Sequence, residues 1–339
     1  MRDRWSLPRS TASAAILVEL AGEYGVPAGP LLAHTGIELD HLADPEGEIK
    51  AGQELILVQE LVARLGHVRA LGLAAGTRYH ASTHGVWGWA VISSPTARRA
   101  LEVGVRYSEL SFSFADFRLD DVDGNVHLIL DDSETPAEVR DFLMERDLAA
   151  IVTIARDLLG VNLPVKELHL ASSDRGYGDR FEQLCAATPI FDADRTSLVL
   201  AGEVLDLPLP QSNPQTALLC ERQCAEVLQR RHARLGLAGQ VRDLLVRRAE
   251  ITDQDDVARE VGVSVRTLQR QLADEGTSFR ELAGEVNCLL AEELLGAGLA
   301  VEDVAHRLGY ATASSLTHAY RRWRGITPGQ YARAVRAGR

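Results

Sequence analysis

The sequence lacks any run of eighteen or more apolar residues, and its first residues contain no apolar segment followed by a small-residue cleavage site. These absences argue against a membrane partner and a secretory signal, so we expect a cytoplasmic protein. Cysteine is also scarce. The four cysteines, at positions 185, 220, 224 and 288, lack the density and spacing of a disulfide framework, and we expect reduced thiols.

The net charge of −12 is opposite to that expected of a protein that binds phosphates. The acidic excess is confined to residues 1–234, which hold 22 basic and 34 acidic groups, whereas residues 235–339 hold 14 of each. Arginine is the only basic residue type in this second part, and its planar donor group suits phosphate and guanine. The charge distribution is therefore compatible with DNA binding near the carboxyl end.

A chain of 339 residues with 46% hydrophobic residues predicts two folded domains. Apolar residues at helical spacing dominate positions 12–105, and alternating residues at 111–119 and 125–130 predict a β-hairpin with its turn at 120–124. Further elements are expected as a helix at 136–159, a strand at 167–171, a helix near 177–186 and a strand at 197–201. We predict an α+β N-terminal domain with about four strands plus six or more helices.

Three prolines between residues 207 and 214 make a continuous helix there unlikely to form, and they predict a domain boundary. The expected domains are an effector-binding or dimerisation domain at 1–210, a linker helix at 211–237 and an all-α domain at 238–339. Gly236 and Gly239 are expected to mark the break after the linker helix.

Residues 255–272 show the pattern of two short helices joined by a tight turn. Val257, Ala258 and Val261 share one helical face, Gly262 permits the turn, and Ser264 can cap the second helix. The second helix then exposes side chains that form bidentate hydrogen bonds with base edges, namely Arg266, Gln269 and Arg270. Such residues are also ordinary on a solvated helix face.

The same pattern recurs at 301–323. Val304 and Ala305 match Val257 and Ala258, Gly309 matches Gly262, and Leu316 matches Leu268 with an offset of one residue. An eighteen-residue helix predicted at 278–295 would be roughly 27 Å long, and it would separate the two helix pairs by about one turn of DNA. We therefore predict two helix-turn-helix units that reach successive major grooves.

Residues 238–336 resemble the DNA-binding domain of the AraC/XylS family of regulators. The resemblance is carried by 257–260, 264–270, 304–305, 308–310, 320–323 and 325–331. It implies base contacts from Arg266, Gln269 and Arg270, and from Ser314, Ser315, Thr317 and His318. The predicted DNA-binding set also includes Ser264, Thr267, Arg321 and Arg322. Two positions depart from the family pattern: His318 stands where Arg is frequent, and Ala300 where a capping Ser is frequent.

Residues 36–210 resemble the arabinose-binding-type N-terminal region of ornithine-responsive and virulence-associated AraC members. The resemblance is carried by 42–45, 71–76, 85–96 and 205–210. It implies a domain that binds a small effector or forms a homodimer. Aromatic and basic residues in one segment are the candidate effector pocket, although aromatic residues at helical spacing are more often core. They are Arg78, His80, His84, Trp87, Trp89, Arg106 and Tyr107.

Isolated pairs at four-residue spacing, His80 with His84 and Cys220 with Cys224, are poor indications of a metal site. The sequence has no phosphate-binding glycine loop and no nucleophile elbow. We expect no metal, no cofactor and no catalytic residue.

The sequence thus predicts a DNA-binding transcription regulator, a small-molecule-responsive activator that binds double-stranded promoter DNA and RNA polymerase. Two alternatives remain open. In the first, the N-terminal domain only dimerises. In the second, it is an enzyme and the C-terminal helices form an interaction module.

Overall fold

The computed structural model describes residues 4–163, 165–248 and 253–337. The chain forms two compact units, of which the N-terminal unit ends at Gln229 and the C-terminal unit begins at Arg230. No helix in the described ranges combines the length and the hydropathy needed to cross a membrane.

The N-terminal unit begins with a helical layer and a small antiparallel strand pair. Its elements are β1 (Pro8–Ser10), α1 (Ala12–Glu23), α2 (Ala28–Leu32), β2 (Glu48–Lys50), α3 (Ala51–Leu65), α4 (Leu71–Gly76), α5 (Gly85–Ile92) and α6 (Ala97–Arg106). Short 3-10 helices lie at Arg4–Ser6, Asp40–Ala43, Ala81–His84 and Ser108–Leu110. The helical character predicted for residues 12–105 is confirmed.

A five-stranded sheet follows, with the strands in the order β3-β4-β7-β5-β6. Its elements, with the helices between them, are β3 (Asp116–Val122), β4 (Asn125–Asp131), α7 (Ala137–Leu159), β5 (Val165–His169), α8 (Gly178–Cys185), β6 (Pro189–Ile190) and β7 (Thr196–Ala201). All neighbouring strands are antiparallel except β5 and β6. The predicted α+β class is confirmed, but the described residues form seven strands where about four were expected.

The predicted hairpin exists, although its turn is shorter than expected. Strand β3 continues through residues 120–122, three of the five that were assigned to the turn, and Val122 pairs with Asn125. Only Asp123 and Gly124 form the turn, with φ values of 50° and 75°. Two successive positive φ angles are typical of the type I′ turn, whose twist matches that of antiparallel strands. The expected strand residues 111–115 lie outside β3.

Helix α7 belongs to both hydrophobic cores of the N-terminal unit. Val139, Phe142 and Leu143 pack with α1, α3 and α4, whereas Leu148 and Val152 pack with the sheet, α5 and α6. The helix ends at Gly160, which adopts the left-handed conformation with φ of 69° and confirms the predicted stop. Because α7 contributes to both cores, it ties the helical layer to the sheet.

The segment after β7 contains α9 (Gly202–Leu205) and leads to the long helix α10 (Pro214–Leu235). The proline-rich stretch before α10 packs on the N-terminal unit, because Leu209 N donates to Pro95 O and Asn213 N donates to Ser93 O. The helix predicted after the prolines is present, and it continues beyond Gln229. The division of the chain at residues 210 and 237 stays a prediction.

The C-terminal unit contains only helices in its described residues. They are α11 (Leu237–Arg248), α12 (Gln254–Glu260), α13 (Val265–Asp274), α14 (Phe279–Gly296), α15 (Val301–Arg307), α16 (Ala313–Arg324) and α17 (Pro328–Ala337). Gly239 lies inside α11, so only Gly236 stands in the break that was predicted at both glycines. The all-α class of this part is confirmed.

Helix α14 joins two separate hydrophobic clusters. Leu282 and Val286 pack with α11, α12 and α13, whereas Ala291 and Leu295 pack with α15, α16 and α17. The predicted arrangement of two helix-turn-helix units joined by one helix is therefore present. The shared helix makes the two small cores one folded body.

Candidate functional site

The first helix-turn-helix is built by a glycine turn and a side-chain cap. Gly262 adopts φ of 73°, and the Val263 N–H donates to Ala258 O at 2.9 Å, which closes the end of α12. Ser264 Oγ then accepts a hydrogen bond from Thr267 N at 3.2 Å and caps α13. Both features were predicted from the sequence.

Helix α13 buries one face and exposes the other. Leu268 and Leu272 are fully buried in the first cluster of this unit. Arg266, Gln269 and Arg270 are exposed on the opposite side, and neither arginine forms a salt bridge with a carboxylate of the described residues. The exposed face thus presents two guanidinium groups to solvent, together with the Gln269 carboxamide, whose Nε2 donates to Gln254 Oε1 at 3.3 Å.

The second unit repeats the same local geometry with one additional residue in its turn. Gly309 has φ of 74°, and the Tyr310 N–H donates to Ala305 O at 2.8 Å, as Val263 does to Ala258. The cap of α16 is Thr312, whose Oγ1 accepts from Ser315 N at 3.1 Å. Sequence analysis did not identify this cap, although Thr is among the preferred capping residues. Ala300 at the start of α15 makes no side-chain cap.

The predicted DNA-binding residues of α16 differ in what their side chains can offer. Ser314, His318, Arg321 and Arg322 are exposed. The Thr317 hydroxyl instead donates to Ala313 O at 2.8 Å within its own helix. The hydroxyl of Ser315 lies 2.9 Å from the capping Thr312 hydroxyl, just as that of Thr267 lies 2.8 Å from Ser264. The hydroxyls of Thr267 and Ser315 are therefore already hydrogen-bonded at the starts of α13 and α16.

Helix α16 is held against α14 by close packing and an ionic contact. A Cβ on Gly284 would approach the Trp323 ring to 2.8 Å, so the absence of a side chain there lets the indole lie on α14. Glu292 accepts from Arg324 Nε at 2.7 Å and from the Tyr320 hydroxyl at 3.1 Å. Burial and the Glu292 carboxylate raise the pKa of Tyr320, which therefore stays a neutral donor.

The N-terminal unit contains a cavity of about 120 Å³ between α5, α6, α7 and the sheet. Most of its wall is apolar. This part consists of Trp87, Val91, Ala97, Ala100, Leu101, Gly104, Val105, Phe112, Phe117, Leu128, Ala150, Ile151, Ile154, Ala155, Leu158, Leu159, Leu163 and Leu205. Its polar part consists of Tyr79, His84, Ser108, Ser111, Ser113, Arg146 and Asp147.

The two charged residues of the wall are paired with each other. Arg146 donates from Nη2 to Asp147 Oδ1 at 2.8 Å, and its Nη1 lies 3.5 Å from Glu54 Oε1. Burial alone would lower the pKa of Arg146, but the adjacent Asp147 carboxylate raises it. Asp147 also accepts from the Ser113 hydroxyl at 2.5 Å.

His84 is the polar residue of the wall that lacks partners. Neither ring nitrogen has a hydrogen-bond partner, and both are closed off from solvent. The ring packs against Trp87 and Phe112, with centroid distances of 4.8 and 4.9 Å. Burial and, to a smaller extent, the positive charge of Arg146 lower the pKa of His84 to about 3, so the imidazole is neutral near pH 7.

The structure brings only two of the seven candidate effector residues, His84 and Trp87, to this cavity. Arg78 instead pairs with Glu23 at 2.6 Å, and His80 lies 3.0 Å from Asp157. The other three lie elsewhere: Trp89 is 54% exposed, Arg106 is exposed, and Tyr107 packs against the core.

The sequence prediction missed the residues of 108–117 and α7 that complete the cavity wall. The run Glu145-Arg146-Asp147 inside the mostly apolar stretch 142–155 of α7 was an available signal, because buried charges require partners. Among the described residues, no group of three or more His, Cys, Asp and Glu side chains could hold a metal ion. Cys220 and Cys224 are both buried in the core.

Comparison with known proteins gives matches over both units. Residues 25–209 match the family model described as the arabinose-binding domain of AraC transcription regulator, N-terminal, and residues 257–334 match a helix-turn-helix domain model. The chain is 35% identical over 325 residues to an uncharacterised HTH-type transcriptional regulator of Mycobacterium tuberculosis, covering 94% of each protein.

The chain is also 29% identical over 325 residues to the ornithine utilization regulator of Pseudomonas aeruginosa, covering 95% of this chain and 96% of the relative. Among solved structures, transcriptional regulator CdpR from Pseudomonas aeruginosa matches 95% of this chain and 98% of its own, with a TM-score of 0.49 and 25% identity.

Proposed function

Because this chain belongs to the AraC family of DNA-binding transcription regulators, we propose that α13 and α16 enter successive major grooves of promoter DNA. We further propose that a small molecule in the N-terminal cavity controls this binding. The duplex is the partner that the family implies, and the assignment of contacts to individual residues is part of the proposal.

The exposed face of α13 is the observation that carries the proposal. Arg can bond to guanine O6 and N7, and Gln to adenine N6 and N7, through paired hydrogen bonds. Arg266, Gln269 and Arg270 are exposed on a helix that is fixed at its start by the Ser264 cap and along its inner face by two buried leucines. We assign base recognition to these three side chains.

Helix α16 supplies a different set of contacts in the proposal. Ser314 and His318 are exposed and can hydrogen-bond to bases or phosphates, and Arg321 and Arg322 supply positive charge for the backbone. The connecting helix α14 is 18 residues long, about 27 Å, which supports a separation of the two recognition helices close to one duplex turn of about 34 Å.

The test begins with selection of a binding site from random duplexes by the full-length protein. Affinities for that site and for an unrelated duplex are then measured for Arg266→Ala and Arg270→Ala. We expect each variant to bind the selected site about 1 to 3 kcal/mol more weakly, because each removes a base contact, and to lose much less affinity for the unrelated duplex.

The matched control is Arg247→Ala, which removes one exposed arginine from α11. Equal losses on both duplexes, or an equal loss in the control, would show that Arg266 and Arg270 contribute only general electrostatic attraction. Base recognition by α13 would then be wrong.

The proposal also includes activation of transcription, contact with RNA polymerase and a homodimer. It includes a cytoplasmic location, where promoter DNA would be found. The proposed activity is binding and requires no catalytic step. Transcription from a promoter carrying the selected site, with purified polymerase and with or without the protein, distinguishes an activator from a repressor.

A further inference from the structure

The chemistry of the N-terminal cavity restricts what it can bind, and this inference rests on the proposed ligand-controlled function. The wall is almost entirely hydrocarbon, contributed by side chains of α5, α6, α7 and two strands. A ligand with several hydroxyl or charged groups would lose hydration on entering such a site without gaining equivalent hydrogen bonds. The wall therefore favours a ligand that is mostly apolar.

The charged groups near the cavity leave no net charge for a ligand to neutralise. Arg146 and Arg9 are opposed by Asp147 and Glu54, with Arg9 Nη1 3.0 Å from Glu54 Oε2 and Arg146 Nη2 2.8 Å from Asp147 Oδ1. A carboxylate brought to Arg146 would compete with Asp147, which already occupies its fork, and would also be repelled by it. An anionic ligand is thus disfavoured.

Among the described residues of the wall, His84 is the one whose buried side-chain nitrogens lack a hydrogen-bond partner. Both ring nitrogens are sealed from solvent without partners, and the ring belongs to the aromatic cluster that lines the cavity. A neutral imidazole offers one donor and one acceptor. A hydroxyl group, which also has both functions, would satisfy it.

We propose that the N-terminal cavity binds an uncharged, mostly hydrocarbon molecule with one polar group, and that His84 hydrogen-bonds to this group. The cavity volume of about 120 Å³ suits a single ring or a medium-length alkyl chain. This chemistry excludes a free amino acid such as ornithine, which appears in the name of one relative, the ornithine utilization regulator, and it excludes a sugar such as arabinose.

The test uses the full chain and four probes: 1-octanol, octanoate, L-ornithine and D-arabinose. Binding is followed at pH 7.5 by isothermal titration calorimetry and by the shift in thermal unfolding. We expect saturable binding of 1-octanol, binding of octanoate at least tenfold weaker, and no binding of the other two. Octanol and octanoate share one chain length, so their comparison isolates the charge.

Two variants locate the site. His84→Phe keeps the aromatic ring and removes both nitrogens, and it should weaken 1-octanol binding about 2- to 10-fold, the loss of one hydrogen bond. Gly104→Leu should fill the cavity, because a Cβ there meets only the Trp87 ring at 3.5 Å and Val91 at 3.9 Å. It should weaken binding at least tenfold.

The control is Gly22→Leu, which makes the same substitution at an exposed helical glycine with no atom within 4 Å of the added Cβ. It should leave 1-octanol binding unchanged. If Gly104→Leu does not fold, the four-probe comparison on the natural protein still decides.

Three results would overturn the inference: octanoate binding as tightly as 1-octanol, ornithine or arabinose binding in preference to both, or 1-octanol binding unaffected by His84→Phe and Gly104→Leu. Sequence-specific DNA binding is measured in the same preparation, so that failure of the ligand inference can be distinguished from failure of the proposed function. A protein that binds its DNA site but none of the apolar probes refutes the ligand class alone, whereas 1-octanol binding without any DNA binding refutes only the proposed function.

Discussion

Burial of the His84 imidazole is expected to carry an energetic cost. A buried polar atom without a hydrogen-bond partner costs about 1 to 3 kcal/mol, and both ring nitrogens of this residue are in that position. Its pKa is lowered to about 3 by burial and by Arg146, so the ring resists protonation in the folded state.

The lowered pKa predicts how stability depends on pH. The unfolded chain takes up a proton on His84 below pH 6.5, whereas the folded chain does so only near pH 3, so the unfolded state binds more protons between these values. The free energy of unfolding should therefore fall with decreasing pH, and the contribution of His84 is roughly 1 kcal/mol at pH 5.5.

Urea unfolding of the natural chain and of His84→Phe between pH 7.5 and pH 5 checks this value. The Phe variant should be the more stable at every pH, with an advantage that grows as the pH falls. The positive Arg146, the carboxylate of Asp147 and the phenol of Tyr79 also face this region, and all three are present in both proteins. A constant advantage would contradict the lowered pKa.

Among the elements, the two recognition helices depend on their side-chain caps. Ser264 and Thr312 each accept one of the backbone N–H groups that a helix start leaves without a partner. Replacing either residue by Ala should cost about 1 kcal/mol. The loss should be local, because each cap belongs to one helix.

Hydrogen exchange of the full chain provides the measurement. Ser264→Ala should reduce protection about fivefold in 265–274, and Thr312→Ala should do the same in 313–324. Ser314→Ala is the control, since this exposed serine has no capping role. A loss of protection as large in the control would show that the caps are not responsible.

Periodicity and capping signals were sufficient to predict the longer elements. The predicted helix at 136–159 is present because its apolar pattern and its glycine stop act over short distances, and the same holds for both helix-turn-helix units. Strands β1, β2 and β6 have three residues or fewer, too short to display an alternation. Their pairing depends on contacts distant in sequence.

The cavity wall could be predicted only in part, again because it depends on contacts between residues that are distant in sequence. The candidate set was drawn from residues 78–107 because of their polar and aromatic side chains, but most of the wall is aliphatic and comes from five separate elements, α5, α6, α7, α9 and β4. Arg78 and His80 have carboxylate partners instead, Glu23 and Asp157. Sequence reveals which residues are polar, but their salt-bridge partners come from the tertiary fold.

At the scale of the whole molecule, helix α10 connects the cavity region with the DNA-binding half of the chain. Cys220 and Cys224 are buried in the same core as the cavity residues Trp87 and Ile154. Arg99 of α6, a helix that lines the cavity, donates to Glu221 of α10 at 2.8 Å. The helix then continues past Gln229 to Leu235. A change in α6 has a direct contact through which it can act on α10.

Glu221→Gln is therefore expected to weaken the coupling between ligand and DNA. It removes a partly buried ion pair of roughly 0.5 to 1 kcal/mol. Under the proposed ligand control, the change in DNA affinity that 1-octanol is expected to produce should therefore shrink about two- to fivefold. Binding of 1-octanol itself should persist. The measurement is DNA affinity with and without saturating 1-octanol.

Glu102→Gln is the matched control, because Glu102 pairs with the same arginine but lies on α6 itself. It should leave the coupling intact. If both substitutions reduce the coupling equally, the charge of Arg99 matters and its contact with α10 does not.

The two helix-turn-helix units are alike in backbone but not in what they expose. The second has a longer turn, and it presents Ser314 and His318 where the first presents Arg266 and Arg270. A symmetric dimer reads a palindrome, which is the same in both directions. Under the proposed contacts, one copy of this chain reads an asymmetric sequence instead. Its site on a promoter would then have a direction, and inverting that site would reverse the orientation of the regulator relative to the gene.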